Sequence, residues 1–168
     1  MKPLVSIIMG STSDLQVMEK AAQVLDAMGI PFEMNALSAH RTPEEVEKFA
    51  RDAEGRGLKV IIAAAGMAAH LPGVIAAYTP LPVIGVPVKV SFDGIDSVLS
   101  IIQMPPGIPV ATVGVNAAEN AAVLASQIIG TGNEKIKKEV IKYKGNLKKK
   151  IVEANKELAK VKFKNKTN

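Results

Sequence analysis

Short apolar runs alternating with amphipathic segments predict an α/β protein, a three-layer αβα sandwich built on a parallel sheet. Three observations carry that reading. Runs such as Val60–Ala64 show no polar alternation, as expected of strands covered by helices on both faces. The segments between them repeat apolar residues at spacings of three and four. Glycine and proline punctuate the boundaries.

Leu4–Met9 reads as the first strand, followed by Gly10-Ser11-Thr12-Ser13. A helix from about Asp14 to Met28 places Val17, Met18, Ala21, Ala22, Val24, Leu25 and Met28 on one side, and Gly29 closes it. Pro31–Leu37 gives a second strand and Pro43–Arg56 a second helix. The start of that helix is written in full: Thr42 as cap, Pro43 at the first position, and Glu45 three residues after the cap. Val60–Ala64 is a third strand, leading into a glycine loop and a helix start. Pro82–Val86 and Val110–Val113 repeat the strand pattern. Asn116 opens a further helix to Ile129, with Glu119 completing a capping box. Gly130-Thr131-Gly132-Asn133 reads as a hinge, dividing a domain of residues 1–130 from a Lys-rich helical extension, residues 131–168.

The net charge of +5 is unevenly spread. From Thr131 onward there are 13 lysines against 4 glutamates, whereas residues 1–130 carry 8 Lys and Arg against 12 Asp and Glu. A nucleic-acid face needs basic residues across the folded body, with aromatics for single strands, so no nucleic-acid partner is expected. In the extension, Ile136, Val140, Ile141, Tyr143, Leu147, Ile151, Val152, Leu158 and Val161 form a loose apolar stripe between lysines. Such a helix is marginal alone and is expected to pack on the domain or on a neighbouring subunit. Cysteine is absent and only two histidines occur, which excludes a thiolate metal site and disfavours a histidine-rich one. Leu4–Met9 is too short for a secretory signal core. The uncharged stretch Val60–Ala77 is broken by Gly66, His70, Pro72 and Gly73, so no membrane span and a cytoplasmic location are expected.

With sheet order 2-1-3-4-5, the loops after the first three strands meet at the crevice beside the topological switch point. They are also the most unusual polar segments of the body. In Gly10-Ser11-Thr12-Ser13-Asp14, a glycine, two hydroxyls and a helix N-terminus suit a phosphate, and Asp14 suits a ribose hydroxyl. The competing reading is a capping box of Ser13 and Gln16. In Ser38-Ala39-His40-Arg41-Thr42-Pro43, Arg41 supplies a fork-shaped anion binder and His40 a general acid or base. In Gly66-Met67-Ala68-Ala69-His70-Leu71-Pro72-Gly73, small residues let a ligand approach the backbone, and His70 either supports the site or packs beneath the loop. Gln103-Met104-Pro105-Pro106-Gly107 either borders the site or makes a turn before the fifth strand. Asp93 and Asp96 read as helix-start residues.

Together, Met9-Gly10-Ser11-Thr12-Ser13-Asp14, Ser38-Ala39-His40-Arg41-Thr42-Pro43, Ala68-Ala69-His70-Leu71-Pro72-Gly73 and Ser100-Ile101-Ile102-Gln103-Met104-Pro105 closely resemble the N5-carboxyaminoimidazole ribonucleotide mutase family of purine biosynthesis. The likeness spans about residues 3–160. It implies a flavodoxin-like five-stranded fold in a homo-octamer whose sites are completed by neighbouring subunits, with no metal or organic cofactor. By resemblance, Ser11, Ser13 and Arg41 bind the ribonucleotide phosphate and Asp14 the ribose hydroxyls. Ser38, Gly66 and Leu71 line the base and carboxylate pocket, and His40 is the catalytic histidine. The implied reaction moves a carboxylate from the exocyclic nitrogen of the aminoimidazole to ring carbon C4. The bacterial pattern reads Gly-Ala-Gly-Gly-Ala-Ala-His where this chain has Ala64-Ala65-Gly66-Met67-Ala68-Ala69-His70, so Met67 stands in place of a glycine. Direct carboxylation of aminoimidazole ribonucleotide by CO2 is the alternative within the fold. A non-catalytic nucleotide- or phosphate-binding domain is the alternative from another class.

Overall fold

The computed structural model describes residues 2–168. Five strands form one sheet: β1 (Val5–Met9), β2 (Phe32–Ala36), β3 (Val60–Gly66), β4 (Val83–Val88) and β5 (Ala111–Thr112). All pair in parallel, in the order β2-β1-β3-β4-β5. The helices are α1 (Leu15–Ala27), α2 (Pro43–Asp52), α3 (Leu71–Tyr78), α4 (Ile95–Ile102), α5 (Ala118–Gly130) and α6 (Glu134–Lys160).

The strands sort their side chains by alternation. Val5, Ile7 and Met9 of β1 and Val60, Ile62 and Ala64 of β3 pack with α1, α5 and the start of α6. Ile8 of β1 and Ile61, Ala63 and Ala65 of β3 face α2, α3 and α4 on the other side. Burial on both faces is what removed polar alternation from these runs. Gly29, at φ +65, ends α1 with its N–H on the Asp26 carbonyl.

Three expected helix starts are built differently. Thr42 stands at the start of α2, but its hydroxyl is turned back on Ser38, accepting from the Ser38 N–H at 3.0 Å and donating to the Ser38 carbonyl at 3.2 Å. It therefore closes the preceding loop instead of capping the helix. Asn116 has φ +55 and lies outside α5; its side chain accepts from the Lys89 N–H at 3.0 Å and ties down the segment after β4. Glu119 is taken by another partner, the Tyr143 hydroxyl, at 2.6 Å. Ser13 makes no box with Gln16: a 3₁₀ turn over Thr12–Asp14 precedes α1, and the Ser13 hydroxyl donates to Asp14. Further shifts are at the ends. The second helix stops at Asp52, the fourth strand extends to Val88, and the edge strand β5 is two residues long.

Asn133 caps α6, accepting from the N–H groups of Lys135 and Ile136. Ile136 and Val140 are buried, and the Tyr143–Glu119 hydrogen bond ties α6 to α5. That bond, with partial burial behind it, pushes the Tyr143 phenol up to about 12. Beyond Tyr143 the stripe continues into solvent through Leu147, Ile151 and Leu158. Among the described residues, no helix is long and apolar enough to cross a membrane, and the uncharged Val60–Ala77 stretch is β3, a loop and most of α3.

Candidate functional site

Sheet register builds the site. Met9 of β1 lies level with Ala36 of β2 and with Ala64 of β3. The three loops that follow therefore leave the same edge of the sheet side by side, beside the switch point. Between them is a cavity of about 480 Å³. Ser11, Ser13, Asp14, Ser38, His40, Arg41, Gly66, His70 and Leu71 all line it.

Its lining divides into two ends. The polar end is made by the loops after β1 and β2. Arg41 is held there by both loops, with Nη2 donating to the Gly10 carbonyl at 2.7 Å and Nε to the Ser38 hydroxyl at 3.3 Å. These bonds connect the two loops and fix the guanidinium beside Ser11 and Ser13. Asp14 is buried among them. Burial raises its carboxyl above the usual range, and hydrogen bonds from the Ser13 hydroxyl and the Ser11 backbone partly oppose the rise. The other end is apolar, formed by Ala65, Gly66, Met67, Ala69, Leu71 and Val90.

His40 and His70 sit at the junction. Their rings meet edge to face, with His40 Nε2 2.7 Å from His70 Nδ1. At that distance one nitrogen donates and the other accepts, so a single proton lies between the two imidazoles. While bonded, the pair carries at most one positive charge. The remaining ring nitrogens, Nδ1 of His40 and Nε2 of His70, are the ones left for a ligand or for water. Among the described residues, no group of three or more His, Cys, Asp or Glu side chains converges closely enough to hold a metal ion.

The Gln103–Gly107 segment does not line the cavity. Met104 packs on Gly73 of α3 instead, where an added Cβ would meet its sulfur at 2.8 Å. Asp96 accepts from the Ser97 N–H at the start of α4, and Asp93 pairs with Lys89; neither reaches the site. Sequence reasoning missed Val90. The available signal was its position just after β4, at the same sheet edge as the three loops. Sheet order predicts that the loops carrying His40 and His70 meet, but nothing in either motif states that the two rings bond directly.

Comparison with known proteins places this geometry in context. The model of the family described as AIR carboxylase matches residues 4–150. The chain is 55% identical over 158 residues to the N5-carboxyaminoimidazole ribonucleotide mutase of Pyrococcus horikoshii, covering 94% of this chain and 89% of that protein. It is 52% identical over 164 residues to the phosphoribosylaminoimidazole carboxylase of Schizosaccharomyces pombe, covering 97% of this chain and 30% of that protein. The crystal structure of Treponema denticola PurE matches with a TM-score of 0.84 at 34% identity, covering 93% of this chain and 98% of that one.

Proposed function

The chain belongs to the AIR carboxylase family, and from that premise we propose that it is an isomerase of purine biosynthesis, converting N5-carboxyaminoimidazole ribonucleotide to its 4-carboxy isomer. The observation that carries the reading is the imidazole pair at the junction of a polar and an apolar end of one cavity. A ribonucleotide has the same division: phosphate and ribose at one end, a flat heterocycle at the other.

In this reading Ser11, Ser13 and Arg41 take the phosphate, and Asp14 takes the ribose hydroxyls. Ser38, Gly66 and Leu71 flank the heterocycle and its carboxylate. Protonated His40 gives its proton to the exocyclic nitrogen as the carbamate C–N bond breaks, releasing CO2. The electron-rich C4 then attacks CO2, and neutral His40 removes the proton left on that carbon. One imidazole that can both give and take a proton serves both transfers. With His40 donating from Nε2, His70 Nδ1 accepts and holds the ring, and so acts as a positioning residue. No cofactor enters these steps.

The same reading extends to assembly. Residues 1–130 form the catalytic unit, and the extension over 131–168, packed on its own domain as far as Tyr143, lies beyond that point against a neighbouring subunit of a homo-octamer. Support comes from apolar surface on α4 and the turn before it, where Phe92 is 81% exposed and Ile95, Leu99 and Ile102 are also uncovered. Support comes equally from the apolar stripe of α6 that outruns its own domain. A small-molecule substrate, no nucleic acid or membrane partner, and a cytoplasmic location complete the proposal.

The experiment is to supply purified protein with each substrate separately. Conversion of the N5-carboxy compound to the 4-carboxy isomer is the expected result. Turnover of aminoimidazole ribonucleotide with bicarbonate, and none of the N5-carboxy compound, would make the protein a direct carboxylase. Binding without turnover of either would make it a non-catalytic domain.

A further inference from the structure

We propose that Met67 is the residue that keeps CO2 in the cavity between the two half-reactions, an inference that rests on the mutase reading above. The first observation is backbone strain where a side chain is gained. Met67 has φ +56 and Ala69, two residues on, has φ +37. A non-glycine residue enters the left-handed region only at a cost, whereas glycine would sit there freely. A methionine held in that conformation is therefore kept against the local preference of the chain. Strain of this sort persists where the surrounding structure uses the residue.

The second observation is where that side chain lies. The inner wall of the apolar end is Ala65, Ala69 and Leu71, all buried. Across from the loop stands Val90, so close to Gly66 that an added Cβ there would meet a Val90 methyl at 2.5 Å. Val90, itself partly exposed, therefore bounds the β4 side directly against Gly66. Met67 lines the same end and is 58% exposed, with solvent on one side and the cavity on the other. An unbranched thioether with three rotatable bonds fills irregular space and swings aside at little cost.

The third is the chemistry of the intermediate. Breaking the carbamate C–N bond leaves its electron pair on nitrogen, which takes the proton from His40 and gives aminoimidazole ribonucleotide and CO2. Forming the C4–C bond to CO2 and losing the C4 proton to His40 completes the balance. Between those steps the ribonucleotide is anchored by its phosphate, but CO2 is uncharged and only a weak hydrogen-bond acceptor. Hydroxyls and Arg41 hold so weak an acceptor loosely, so its retention falls to the apolar wall. Met67 is the exposed part of that wall on the loop side.

The test uses the N5-carboxy compound labelled in its carboxyl carbon, with excess unlabelled bicarbonate. It reads the fraction of turnovers ending as aminoimidazole ribonucleotide and free labelled CO2. Three variants are compared: Met67→Gly, Met67→Asn and Met67→Leu. Glycine and asparagine accept positive φ, so both are expected to melt no lower than the parent. Asn also keeps the loop from gaining glycine's freedom. Met67→Gly and Met67→Asn should raise the escaping fraction on the order of tenfold, the scale set by losing a large apolar side chain from the wall, and Met67→Leu should stay near the parent. Gly and Asn variants that consume substrate yet release no more CO2 than the parent would overturn the assignment of Met67 and leave the mutase reading intact. A parent protein that makes no 4-carboxy product would overturn both.

Discussion

The carboxyl edge of the sheet and the long helix α6 are both densely polar, yet only one of them gathers its groups. At the sheet edge, three loops bring two histidines, an arginine, an aspartate and three serines around one cavity, and main-chain contacts such as Arg41 to Gly10 hold them in place. On α6 the charges are spread along one rod. Lys137, Lys142 and Lys160 each pair with a glutamate three residues earlier on the same helix, all largely exposed. Polarity alone does not distinguish the two regions. Convergence does, and convergence comes from strands that end level.

The comparison is broken most severely at His40. His40→Asn is expected to lower turnover by about 10²–10⁴-fold, the usual share of a positioned acid-base group, with nucleotide binding by calorimetry largely kept. A variant as active as the parent would remove the reason to treat the edge as a reaction centre. A smaller loss is expected for Arg41→Lys, which keeps the charge but cannot make both bonds, to Gly10 and to Ser38. KM should rise on the order of tenfold or more while kcat changes less, because a fork is replaced by a mobile point charge. Equal KM values would mean that Arg41 does not meet the phosphate.

The smallest effect belongs to α6. Tyr143→Phe removes one partly exposed hydrogen bond, worth about 1 kcal/mol, and should lower Tm by about 2–4 °C without changing turnover per folded site. The pH dependence sharpens the assignment. The Tyr143 phenol is raised to about 12 in the folded chain, above the ordinary value of 10.0, so its contribution is present below pH 10. It is lost as pH rises toward 12, because the unfolded chain releases its proton first. Parent and variant should therefore converge in stability across that window. A constant gap would show that Tyr143 acts through packing alone.

Much of this architecture is written in the sequence. Val60–Ala64 and Pro82–Val86 read as buried strands because both faces are covered, and the three loops read as the site because parallel sheets carry chemistry at their carboxyl ends. What local patterns do not show is which partner a polar side chain chooses. Thr42 and Asn116 each look like helix caps, and each is spent elsewhere. One closes the loop that carries His40; the other holds Lys89, 27 residues away. Val90 escaped notice for a related reason, since a valine after a strand announces no chemistry and gains its place only from Gly66 opposite. The stripe on α6 reads as continuous, but the domain beneath it ends near Tyr143, and that ending is a fact of tertiary packing.

The level ends of β1, β2 and β3 also divide the chain into parts that tolerate change and parts that do not. Each strand residue advances the chain by about 3.3 Å, so one insertion or deletion inside any of the three would carry its loop past the others by more than a hydrogen-bond length. Changes of loop length leave that datum alone. The strands work as a common benchmark from which three separate pieces of chemistry are measured, and new chemistries on this scaffold are to be sought by rewriting loops above a fixed line.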